Sequence, residues 1–572
     1  MPRRLAITIS GAVSLGSYEA GVLYEILSAL ERNNLAATRD EDRVVIDVLC
    51  GASAGGMTAA IAAQVLLDPR GRMNGPHDNA FYHPWVRDAD LSLFLQDTPQ
   101  DNPRLSLLAS SQVEAIASRF IGTTIAPDAP AHPAAAPDIR LGLALSNLHG
   151  VDYARETVGA RGQTEKFIYT RFQDEFLRTV RRAGAAQPVD WPQIRQAALA
   201  CGAFPFAFRP RDLTRSFAEY ATQHSGLDVT QFPSGRDNTY TYSDGGIFHN
   251  EPLGIARDLV SDLNGGQPED ADTRFYLFVS PDAQASKRPE AKSPTNGQPP
   301  LRLGADTETM PRLVGHLVNA IFTQGRFQDW IVASKVNDRV RRLDTVARGL
   351  ADQLFAAADA AQGGLTAPLP PALTAVTTTL LPALYPAAAL ESGLKADRTR
   401  LTAAYTGFAA SNGRDCLTEL PTDLRAAWID AVLLLEKTAG LEHKDIMTIF
   451  TITASSRELS GEPLFAFAGF LDFKSRHFDY EVGRKKAREW LTTNAVPGGA
   501  FPLLNVAAYP VPTPNPGPDL SGRQMSDFDE DKRRALRDRA LDRASDALAL
   551  PWWSAWLAKL LLRSALNKQL GL

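Results

Sequence analysis

The run Gly51-Ala52-Ser53-Ala54-Gly55-Gly56 follows an apolar stretch, 44–50, and opens an alanine-rich one. A serine with small residues two positions to either side, set between a strand and a helix, has the spacing of a nucleophile elbow. The sharp turn holds Oγ clear of the backbone, and the helix N-terminus favours developing negative charge. The chemistry implied is acyl transfer through Ser53. A G-x-S-x-G match is common by chance in a chain with 41 glycines, so donors for the oxyanion and a base must be found elsewhere. The loop Gly11-Ala12-Val13-Ser14-Leu15-Gly16 could supply backbone N–H groups, each typically worth about 3 kcal/mol in a tetrahedral transition state. A plain strand-to-helix turn is the bland alternative. A nucleotide-binding loop is set aside, because the loop carries neither G-x-G-x-x-G nor G-x-x-x-x-G-K-[ST]. The candidate base is Asp244, followed by Gly245 and Gly246; an ordinary Asp-Gly turn is its competing explanation.

These residues need elements to carry them. Residues 5–9 read as a strand, 19–32 as a periodic helix and 44–50 as a second strand, so the chain opens strand, glycine loop, helix, strand, elbow, helix. That alternation implies a central, mainly parallel sheet flanked by helices. The elbow arrives after only one strand and one helix, too early for the usual α/β-hydrolase order. Asp244 ends the strand-like run Thr239-Tyr240-Thr241-Tyr242, which puts it on the rim where the elbow and loop emerge. The paired glycines after it would let the backbone approach closely and take positive φ.

With loop, elbow serine and aspartate in this order, the chain resembles the patatin-like phospholipases over most of its first 285 residues. Residues 144–150 and 197–205 are similar to further segments of that family. The resemblance implies a three-layer α/β fold and a lipid acyl hydrolase that cleaves phospholipid or lysophospholipid esters without cofactor or metal. It implies a Ser-Asp dyad, with Ser53 as nucleophile, Asp244 as base, the amides of Gly11, Ala12 and Val13 as the oxyanion hole, and Gly16, Gly51, Gly55, Gly245 and Gly246 as supporting glycines. The chain departs from the family where Ala12 and Val13 replace glycines, and a β-branched residue resists positive φ. A serine–histidine triad is the mechanistic alternative, His149 and His249 being nearest in sequence. The rival from another class is a weakly active patatin scaffold serving as a membrane-associated interaction or sensing module.

The remaining sequence gives context. Across 572 residues the net charge is −5, with no basic excess to suggest nucleic acid as partner. Cys50, Cys201 and Cys416 are widely spaced and lack metal-ligand patterns, as free thiols in a reducing, cytoplasmic compartment would be. No run reaches about 18 uncharged apolar residues, so lipid access would be peripheral. Its best candidate is the helix expected over 551–566, where Trp552, Trp553 and Trp556 lie near Lys559 and Arg563; docking on the protein core is the alternative. The expected organisation is a catalytic domain over 1–285, a linker or exposed loop over 286–300, and a mainly helical region over 301–572 packed partly on the catalytic domain. Residues 65–140 form either a cap over the cleft or an ordinary surface subdomain. The cations within 463–490, among them Arg476 and Arg484, read as a solvated helix face or a headgroup patch. The sequence leaves the oligomeric state open.

Overall fold

The computed structural model describes residues 2–122, 125, 130–158, 164–181, 189–223, 237–265, 273–281, 328–360, 371–385, 390–441, 449–494, 512–547, 562–564 and 566–572. It divides into two compact units. The first comprises Met1–Leu259, Phe275–Asp329 and Ile449–Leu572, and the second Val260–Arg274 and Trp330–Thr448.

The first unit is built on β1 (Arg3–Ile9), β2 (Val44–Gly51), β5 (Ala135–Val158), β6 (Thr164–Arg181), β7 (Arg211–Arg215), β8 (Asn238–Asp244), β9 (Arg274–Ser280) and β10 (Ile449–Thr453). A small hairpin, β3 (Met73–Gly75) with β4 (Asp78–Asn79), stands apart. The sheet order is β10-β9-β1-β2-β5-β8-β7, with β6 also paired to β5. Pairs β1–β2, β2–β5 and β9–β10 are parallel. Pairs β5–β6, β5–β8 and β7–β8 are antiparallel. The result is a mostly parallel central sheet in a three-layer α/β arrangement. All eight residues of β2 are buried, as expected of a strand covered on both faces, whose near-continuous apolar sequence follows from that burial.

Helix α1 (Gly16–Ala36) packs on the helix Phe473–Asn494 with the two backbones in contact. A Cβ at Gly21 would lie 2.0 Å from the Tyr480 carbonyl oxygen, and one at Gly483 would lie 2.1 Å from that of Tyr18. Beside the crossing, Arg484 pairs with Glu25 at 3.2 Å and with Glu481 at 2.9 Å, all three buried. The same helix buries Arg476, which bonds Asp90 at 3.0 Å. These two arginines therefore form neither the solvated face nor the headgroup patch expected from sequence. Each is enclosed because carboxylates from other elements meet it.

The sheet is not complete by residue 285. Strand β10, more than 160 residues beyond that point, is the parallel partner of β9 and completes the sheet. The C-terminal segment thus belongs with the first unit, and the helical unit is an insertion ahead of β10. Residues 286–300 themselves lie outside the described residues, as do Trp552, Trp553 and Trp556. The second unit is helical and has its own core around Trp428, whose indole N–H donates to the Ala347 carbonyl at 2.8 Å. Among the described residues no helix is long and apolar enough to cross a membrane.

Candidate active site

Strand β2 ends at Gly51, and helix α2 (Ser53–Leu67) begins two residues later. Ser53 makes the turn at φ 50°, in the left-handed region. The neighbouring glycines allow this by close approach. A Cβ at Gly51 would lie 2.3 Å from the Gly55 carbonyl oxygen, and one at Gly55 would lie 2.2 Å from that of Ser10. Any side chain at either position would push elbow and strand apart.

The strand register brings Asp244 to Ser53. On β5, Leu143 is opposite Gly51 of β2 and Leu145 is opposite Asp244 of β8. The other edge of β5 is taken by β6, with Phe176 and Asp174 opposite the same two leucines. A strand has two edges, so β2 and β8 must share one. They run toward each other along it and end head to head. Ser53 Oγ accordingly donates to Asp244 Oδ2 at 2.6 Å, both side chains being buried.

Asp244 is further fixed by the Gly246 N–H donating to Oδ1 at 2.7 Å, by its own N–H donating to Ala203 O at 3.0 Å, and by the Ser146 hydroxyl donating to its carbonyl at 2.7 Å. Burial pushes its carboxyl up to about 7, against the lowering effect of the bonds from Ser53 and Gly246. Gly245 is required by close approach, since a Cβ there would lie 2.0 Å from Ala144 O. Neither Gly245 nor Gly246 takes positive φ, contrary to expectation, because a 3-10 turn beginning at Gly245 follows the strand directly.

The histidines stand elsewhere. His149 Nδ1 accepts the Thr241 N–H at 3.3 Å, and His249 Nδ1 pairs with Gln173 Nε2 at 2.9 Å. Among the described residues neither Ser53 nor Asp244 bonds to a histidine.

The loop before α1 completes the site with two changes from expectation. Gly11 N–H donates to Asn250 O at 3.0 Å and is therefore not free for an oxyanion. The N–H groups of Ala12 and Val13 have no acceptor among the described residues. Val13 does adopt positive φ, 51°, despite its branched Cβ. Gly11 is packed so closely that a Cβ would lie 2.1 Å from Asn250 Oδ1 and 3.0 Å from Ser53 Cβ, and one at Gly16 would lie 2.6 Å from the Trp85 ring. Asn250 was not singled out in the sequence; its position six residues beyond Asp244 was the available signal.

Over Ser53 lies a cleft with about 670 Å³ of empty space, open solvent at its mouth included; among the described residues its lining is apolar but for the Ser53 hydroxyl and the Trp85 indole N–H. Val13 and Met57 come from the loop and α2, while Trp85, Phe94 and Phe120 come from the 65–140 region. That region therefore walls the cleft, and it also shares a core with Phe467, Phe470 and Leu471 of the C-terminal segment. Among the described residues no group of three His, Cys, Asp or Glu side chains is arranged to hold a metal ion.

Residues 7–257 match the model of the patatin-like phospholipase family. Two curated relatives are 28% identical to the chain: the uncharacterized protein y4iI of Sinorhizobium fredii over 345 residues, and the uncharacterized membrane protein Rv3479 of Mycobacterium tuberculosis over 340 residues. These matches cover 48% and 52% of this chain. They span about half the length of the first relative, 49%, and under a third of the second, 29%.

Proposed function

Because residues 7–257 belong to the patatin-like phospholipase family, a family of lipid hydrolases, we propose that this chain cleaves carboxylic esters of phospholipids or lysophospholipids through a Ser53–Asp244 dyad. The observation that carries the reading is the 2.6 Å bond from Ser53 Oγ to Asp244 Oδ2 at the floor of an apolar cleft. An acyl chain occupies the cleft and presents its ester carbonyl to Ser53. Oγ attacks that carbon while Asp244 takes the hydroxyl proton. The oxygen that becomes negative is stabilised by the N–H groups of Ala12 and Val13, aided by the start of α2. Asp244 then passes its proton to the departing alcohol. It next removes a proton from water, which attacks the acyl-enzyme, and returns that proton to Ser53 Oγ as the acyl–oxygen bond breaks and the fatty acid leaves.

A carboxylate held near pH 7 by burial suits this work, since a base is most effective when its pKa lies near the operating pH. No cofactor enters any step, and the insoluble substrate is reached by peripheral contact with a lipid surface. The test is fatty-acid release from mixed phospholipid vesicles. The wild type should release it and Ser53→Ala should not. Equal release by both proteins would remove Ser53 from the chemistry, whereas no release by the wild type would favour the scaffold reading, in which the chain binds lipid or a partner without turnover.

A further inference from the structure

Val13 is held in a conformation that its branched Cβ opposes, and such strain persists only where the surroundings over-determine it. Local bonds contribute: Leu15 N–H donates to Ala12 O at 2.9 Å, Gly16 N–H to the carbonyls of Val13 and Ser14, and the Ser17 hydroxyl to Ser14 O at 3.1 Å. The other constraints come from far along the chain. The buried Ser14 hydroxyl donates to the carbonyl of Ala466, 452 positions away, and accepts the Gly469 N–H at 3.1 Å. A Cβ at Gly469 would lie 2.5 Å from Ser14 Oγ, so only glycine leaves room for this bridge.

The distal segment is itself tightly fixed. Leu464 and Ala466 take left-handed φ values of 59° and 63°. Buried Asp479 accepts the Ser460 N–H at 2.7 Å and the Gly461 N–H at 2.9 Å, one with each oxygen. Arg476 Nη1 donates to the carbonyls of Gly469 at 2.9 Å and Phe470 at 3.1 Å. Through these bonds the helix Phe473–Asn494 holds the segment, and the segment holds Ser14. Val13, next to Ser14, lines the same cleft as Ser53.

We propose that Ser14 is a positioning residue for the oxyanion hole: its hydroxyl, gripped between Ala466 and Gly469, fixes the Ala12 and Val13 N–H groups that a more glycine-rich loop would present without a tether. The catalytic part of this rests on the ester-hydrolase reading above; the tether itself does not. A hydroxyl that never touches substrate acts through the loop, so its loss should weaken transition-state stabilisation more than substrate binding.

The experiment compares full-length wild type, Ser14→Ala and Gly469→Ala on a soluble short-chain ester, with Ser53 titrated by a fluorophosphonate. Each variant should lose roughly tenfold or more in kcat per titrated site, with KM changed less than about twofold. The double variant should be no slower than the worse single one, because both act on one contact. Hydrogen exchange supplies a readout that needs no turnover: the peptide covering residues 11–16 should exchange about tenfold faster in Ser14→Ala, with the elbow peptide unchanged. Unchanged exchange at 11–16, or a kcat per titrated site equal to wild type, would overturn the proposal. If the wild type hydrolyses no ester, the function assigned above fails, and the exchange measurement still decides whether the tether exists.

Discussion

Ser53 and Val13 face one cleft from two loops and both take positive φ, 50° and 51°. Their supports differ. Ser53 is held by glycines two residues to either side, which let the Ser10 and Gly55 carbonyls come close. Val13 sits beside a serine whose hydroxyl bonds to residues 452 and 455 positions away. Strain maintained by neighbours leaves a motif in the sequence, and strain maintained by tertiary contacts does not. The elbow is therefore readable as a short pattern, while the loop looks like a defective copy of its family's glycine run until its tether is seen.

The contrast can be broken most severely at the reacting pair. Ser53→Ala and Asp244→Asn should each cost about 10⁴-fold or more in kcat, and the double variant little more, because nucleophile and base act as a unit. The loss in Ser14→Ala should be far smaller. Were the two losses equal in magnitude, the Ser14 hydroxyl would be part of the chemistry and not a support for the loop.

The pH profile separates base from loop. Asp244 must be ionised to accept the proton, and burial raises it to about 7. Wild-type kcat/KM should therefore fall about tenfold per pH unit below that value and level off above it. Ser14→Ala should lower the whole curve without moving its midpoint. A midpoint near 4 would mean that Asp244 is hydrated in solution.

The smallest expected effect is on stability. The folded pKa of Asp244 lies above the unfolded value of about 3.9, so the folded state binds the proton more tightly. Ionising the group in place costs stability that grows from about pH 4 and is complete above pH 7. Asp244→Asn removes that cost. Its stability relative to wild type, followed by thermal unfolding, should be greater at pH 8 than at pH 4, by an amount on the order of 1–3 kcal/mol. A difference independent of pH would assign the change to packing.

Much of the site was legible because its parts are short and local: Ser53 with Gly51 and Gly55, Asp244 with Gly245 and Gly246, and the loop after the first strand. Three things were not. A run of alternating residues does not state its partner's direction, so the antiparallel return of β8 on β5, which makes the dyad contact, could not be read from 239–244. The five residues Ile449–Thr453 look like an isolated strand among helices, and only their pairing with β9 reveals that the sheet resumes there. A loop sequence also does not disclose which N–H is already spent. Gly11 carries the family's glycine, yet Asn250 consumes its donor. The buried Arg476 and Arg484 misled for a related reason, since their carboxylate partners, Asp90 and Glu25, come from remote segments.

The head-to-head meeting of β2 and β8 also says where the chain tolerates changes of length. Ser53 and Asp244 are 191 positions apart, but their separation is measured along β5, from Leu143 to Leu145, with Ala144 between. Insertions that leave β5 and β8 in register, such as a longer 65–140 wall, do not enter that measurement. One residue added between Leu143 and Leu145 would shift β8 against β2 by about 3.3 Å and turn its side chains to the opposite face. Lengthening is thus tolerated in segments between nucleophile and base that leave the bonds to Asp244 and the cleft lining in place, and a fixed count is required over three residues of a single strand.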